Sequence, residues 1–96
     1  MAKDDYFVIV FKILNYLYYC LKNGEEVDAE KISAKDLKIT HEFWSFIIHN
    51  MNVDGLIANV VTKPNAGLRS KQPVVVKWED ISITKEGMKS LRMYIV

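Results

Sequence analysis

The stretch "ISITKEGMKSL", residues 81–91, decides how the chain is read. Ile83-Thr84 has the form of a helix entry. Thr84 is a preferred N-cap, and Ile83 before it can pack on Met88, a hydrophobic staple. Yet Gly87 stands in the first turn, where it costs about 1 kcal/mol relative to Ala. A glycine kept at such a position points to a close backbone approach. The last helix has to fold back against an earlier element, and the first helix is the expected neighbour. Met88, Leu91 and Ile95 would face inward.

Working back from that helix, "LIANVVT" (56–62) and "VVVKW" (74–78) are rich in β-branched residues and read as strands. Between them, "KPNAGLRSKQP" carries Pro64, Asn65, Gly67 and Pro73 and reads as a loop. The pair makes a hairpin, and Ile81-Ser82-Ile83 can extend or rejoin its sheet. Upstream, "KITHEFWSFIIHNMNVDG" predicts a helix capped by Thr40, with Ile39 stapled to Trp44. Its core stripe is Phe43, Trp44, Ile47, Ile48 and Met51. His41, Glu42, Ser45, His49 and Asn52 face away, and Asp54-Gly55 stops it. A short second helix is expected at about 28–36, capped by Asp28, with Ile32 inward.

The first helix is expected at about 5–22, capped by Asp4 or Asp5 and ended by Asn23-Gly24. Tyr6, Val10, Ile13, Leu14, Leu17 and Leu21 form its inner stripe at helical spacing. Val8, Phe11 and Tyr19 fall on the other side beside Lys12, Asn15 and Lys22. That apolar excess predicts a second cover, and we expect a homodimer interface that includes Val8, Phe11, Tyr19 and Tyr94. "YFVIVFKILNYLYYCL" is 16 residues long and contains Lys12 and Asn15, whereas a membrane span needs about 20 apolar residues. With no signal peptide evident, a cytoplasmic protein without a membrane segment is expected.

Three helices, a two-stranded hairpin and a C-terminal helix give an α+β fold, a winged helix-turn-helix. One domain over residues 1–96 is expected, its wing spanning about 56–78. Half the residues are apolar, enough for a true core. The single Cys20 excludes an intramolecular disulfide and any multi-cysteine metal site.

Two passages together, "LKITHEFWSFIIHNMNVDGLIANV" (37–60) and "ISITKEGMKSL", resemble the YjcQ family, small winged-helix proteins of Gram-positive bacteria and their prophages. The resemblance lies in the "IT" before a helix bearing Phe43-Trp44, the "DGLI" turn into a strand, and the "IT-x-x-G-x-x-x-L" close. The last piece is shared with MarR-like winged helices. The resemblance covers about residues 28–92. It implies mostly fold, and DNA binding follows from it only as an analogy between folds.

Charge supports that analogy in one place. Residues 1–55 carry six lysines against nine carboxylates, −3, while residues 56–96 carry seven cations against three, +4. The wing residues Lys63, Asn65, Arg69, Lys71 and Lys77 are the expected phosphate contacts, with no acidic residue between 63 and 77. The third helix is a poorer reader of bases. Thr40, His41, Glu42, Ser45 and His49 would face DNA, and none is Arg or Lys. Two functions therefore stand: double-stranded DNA binding as a small, phage- or mobile-element-associated regulator, or a protein–protein adaptor that uses the first and last helices.

Enzyme activity is not expected. "HEFWSFIIH" lacks the second histidine of an H-E-x-x-H helix, because Ser45 stands there. His41 and His49 are two turns apart, too far for one metal. The carboxylates of "WED" (78–80) adjoin a strand end and read as a solvated turn. No cofactor, metal or small-molecule substrate is indicated.

Overall fold

A computed structural model describes residues 5–63 and 73–95, with side chains described as far as Met93. Helix α1 runs Tyr6–Asn23. Asp5 caps it, its carboxylate accepting from the Phe7 amide at 2.9 Å. Gly24 ends it in the left-handed region, φ 67°. Ile9, Val10, Ile13, Leu14, Leu17 and Cys20 are the buried face. Leu21, expected inside, is 58% exposed. The buried stripe is centred nearer Ile13 than the apolar pattern suggested, which brings in Ile9 and Cys20 and leaves Leu21 at its margin. Phe11, expected on the outer side, is half-buried and packs against the core.

The expected second helix is broken in two. A 3-10 turn, Ala29–Ile32, precedes helix α2, Ala34–Leu37. Ser33 makes the break. Its hydroxyl donates to the Glu30 carbonyl at 2.7 Å and accepts from the Asp36 amide at 3.2 Å. A serine that satisfies backbone groups in this way competes with helix continuation. Ile32 still points inward, 1% exposed.

Helix α3 is His41–Val53, with Thr40 as N-cap accepting from the Phe43 amide at 3.1 Å. Trp44, Ile47, Ile48 and Met51 are buried. At its end, the Leu56 amide reaches the Met51 carbonyl at 2.9 Å while Gly55 takes φ 74°. This is the Schellman closure, and the left-handed residue favours glycine.

The segment 56–62 forms two short strands rather than one. Strand β1 is Ile57–Ala58 and β2 is Val61–Lys63. Asn59, at φ 64°, turns the chain between them. Strand β3 is Val74–Lys77 and β4 is Ser82–Ile83. β2 pairs antiparallel with β3 as the hairpin, and β1 pairs antiparallel with β4. Contrary to expectation, residues 82–83 thus do not extend the hairpin's sheet but pair with β1 in a second two-stranded sheet.

Helix α4 is Lys85–Ile95. Thr84 caps it, accepting from the Gly87 amide at 3.0 Å, and its own hydroxyl donates to the Gly55 carbonyl at 2.5 Å. The Thr84 amide donates to the Leu56 carbonyl at 3.2 Å. A Cβ on Gly87 would collide with that same Leu56 oxygen and lie 2.8 Å from Ile83 Cγ1. The close approach is real, but its partner is the turn after α3 and not α1. Leu91 is buried and Met88 half-buried, as their spacing predicts; the side chain of Ile95 lies outside the described part.

The buried apolar core is one cluster drawn from α1, α3, the 3-10 turn, β1, residues 60 and 81, β4 and α4. Each fully buried aliphatic side chain contributes about 1.5–3 kcal/mol relative to exposure. The molecule is a mixed α+β fold with a short hairpin and a closing helix, compatible with a winged helix.

Candidate nucleic-acid interface

The candidate interface joins α3 to the β2–β3 hairpin. Thr62 and Val75 are the half-buried positions of the hairpin, and Val75 packs against the core. Thr62 Oγ1 and His49 Nδ1 lie 2.8 Å apart and share a hydrogen bond. The hairpin is thereby fixed against the helix from inside. Its other alternating positions, Val61, Lys63, Val74 and Val76, are exposed.

A second clasp holds the base of the hairpin. Trp78, just after β3, meets Trp44 edge to face with ring centroids 4.9 Å apart. Trp44 Nε1 donates to the Ile32 carbonyl at 2.8 Å. One indole thus links α3, the 3-10 turn and the hairpin. Edge-to-face pairs add about 0.5–1.5 kcal/mol beyond burial. The sequence offered Trp78 only as an aromatic at a strand end, with nothing to name its partner.

The outer face of α3 differs from expectation. Ser45 is 2% exposed and belongs to the core side, so it cannot present a hydroxyl to a ligand in this arrangement. Helical spacing places Ser45 at the edge of the apolar stripe, and its small side chain tolerates burial there. Phe46 takes the outward position instead, 43% exposed. His49 is half-buried and committed to Thr62. Thr40 is exposed, with its hydroxyl oxygen engaged as the cap. His41 and Glu42 are exposed, and the His41 ring lies 5.6 Å from that of Trp44. Asn50, which the sequence did not single out, folds back to donate to the Phe46 carbonyl at 2.8 Å. The surface offered by α3 is therefore His41, Glu42, Phe46 and Val53, with no Lys or Arg in the helix.

Of the wing cations, Lys63 is exposed at the end of β2. Lys77 is exposed but not unopposed: its Nζ lies 3.5 Å from an Asp80 carboxylate oxygen. So solvated a pair is worth little and leaves the ammonium available to a competing anion. Asn65, Arg69 and Lys71 lie outside the described residues. Beside Lys77, the Glu79 carboxyl is held below its ordinary range by its own backbone amide and that of Trp78, whose N–H donates to it at 3.1 Å, and by the lysine.

Of the expected dimer residues, Tyr19 is 52% exposed, Val8 and Phe11 are half-buried, and the side chain of Tyr94 lies outside the described part. Among the described residues, no helix is long and apolar enough to cross a membrane.

No curated protein and no solved structure matches the chain. A family model described as YjcQ protein matches residues 11–93, from the first helix through the last, and the chain belongs to that family.

Proposed function

We propose that this chain is a small DNA-binding regulator that grips the duplex mainly through its hairpin. The observation that carries the reading is the His49–Thr62 bond, which holds exposed Lys63 beside α3 on a rigid support. Residues 56–96 add a charge of +4, concentrated around the wing. Such cations contact phosphates, fix position on the duplex and read no bases. With Glu42, Phe46 and Val53 on its surface, α3 supplies little readout. The setting we infer from the family resemblance is the cytoplasm of a bacterium, with carriage by a phage or mobile element.

The test is an anisotropy titration of labelled random duplex DNA at low and moderate salt, with a K63A/R69A/K71A/K77A variant alongside. Micromolar binding with a log–log salt slope of about −3.6 for four phosphate contacts is expected, lost in the variant. No binding at low salt would reject the DNA reading.

A second reading, a protein–protein adaptor, is favoured by α1. Phe7, Tyr18, Tyr19 and Leu21 are all exposed on it, four large apolar side chains on one helix. In that case a Phe7, Tyr19 double charge substitution abolishes partner or self-association and leaves DNA titrations unchanged.

A further inference from the structure

A groove of about 520 Å³ lies between α1 and α4, lined by Tyr18 from α1 and by Lys85, Met88, Lys89, Leu91 and Arg92 from α4. It lies apart from the hairpin and the outer face of α3. Its composition is unusual in combining an apolar lining with cations. Lys85, Lys89 and Arg92 stand at i, i+4 and i+7, so they line one face of α4 over a length of about 10 Å. Lys89 shares its charge with Glu86 at 3.3 Å. Among the described residues, Lys85 and Arg92 have no ion-pair partner, and both are exposed.

From this groove we infer that the protein binds a small anionic amphiphile, an apolar chain or ring bearing one carboxylate. The apolar body rests on Tyr18, Met88 and Leu91. The carboxylate meets Arg92, whose fork offers two parallel donors, and Lys85 adds positive potential along the same face. The volume falls within the range of small-ligand sites, about 300–1,000 Å³. Charge argues against the simplest alternative. A second copy related by a two-fold axis through the groove would set the three cations of one copy against those of the other. An acidic amphipathic helix has the right sign, but three apolar side chains are a short platform for its anchors. The inference is independent of DNA binding.

The experiment uses anilinonaphthalene sulfonate, itself an apolar ring system with one anion, as a fluorescent probe on the intact chain. Decanoate and the neutral decanol serve as competitors. Decanoate is expected to displace the probe at a concentration about tenfold lower than decanol, as a charge-assisted contact warrants. A K85E/R92E variant should lose that preference. A K12E/K35E variant, with the same change in net charge at other exposed positions, should keep it. Equal displacement by decanol, equal loss in both variants, or no displacement at millimolar decanoate would overturn the proposal. Stronger displacement by an acidic helical peptide, or probe release as protein concentration rises, would overturn the choice of occupant. Circular dichroism of each variant confirms that the fold persists.

Discussion

A methyl group at position 87 has nowhere to go. It would meet the Leu56 carbonyl oxygen, which is already held by the Thr84 amide, and the flank of Ile83. In an open helix, Gly→Ala would stabilise by about 1 kcal/mol. Here Gly87→Ala is expected to destabilise by about 1–3 kcal/mol, the usual cost of overpacking, measured by urea denaturation. A stabilised variant would show that the turn yields. The requirement for glycine was legible from its place in the first turn of a helix. Its partner was not, because the chain segment that presses on it comes from residue 56, and no local pattern joins the two. Trp44 carries a similar lesson. Its apolar role was plain from spacing, but its donor role depends on the carbonyl of Ile32, twelve residues earlier. Trp44→Phe leaves that carbonyl without its donor and is expected to cost about 1–3 kcal/mol, read by denaturation followed through the remaining Trp78.

At the scale of elements, the long helices followed their periodicity and caps. The short ones did not, because single side chains interrupt them. Ser33 satisfies backbone groups on both sides of itself and divides the second helix. Asn59 turns in the left-handed region, φ 64°, and divides a run of β-branched residues into strands that pair with different partners. The candidate interface was misread at Ser45 for a related reason: a small polar residue at the edge of an apolar stripe goes in or out according to what packs against it. The turn after β3 has a pH signature. Glu79 ionises more readily in the folded state than in the unfolded chain, because backbone amides favour its carboxylate. Its contribution is therefore present above the ordinary glutamate value of 4.5 and is lost as pH falls below it. Glu79→Gln should flatten the acid side of the stability profile by lowering stability slightly at neutral pH, and leave stability well below 4.5 nearly unchanged. An unaltered acid limb would remove Glu79 from the account.

For the whole molecule, opposite charge in the two halves and apolar excess on α1 point to different uses of different faces. If α1 meets a second copy across Val8 and Tyr19, sedimentation velocity at tens of micromolar should give a dimer, and Tyr19→Glu a monomer. A monomeric parent chain would end the homodimer proposal and leave α1 to another partner. The element order and the core were legible because periodicity and capping act locally. The packing of the hairpin on α3 was not, because it rests on pairs such as His49 with Thr62 and Trp44 with Trp78 that only the folded chain brings together. The cap of α4 has a consequence for how the chain assembles. Thr84 is completed by Gly55, twenty-nine positions upstream. The cap on Gly87 is local, but the docking of the final helix is not, because Thr84 reaches the Gly55 carbonyl only where the end of α3 has formed. Amide hydrogens at Thr84 and Gly87 would exchange with solvent whenever that junction opens. Their protection would time the docking of the last helix, separately from global unfolding.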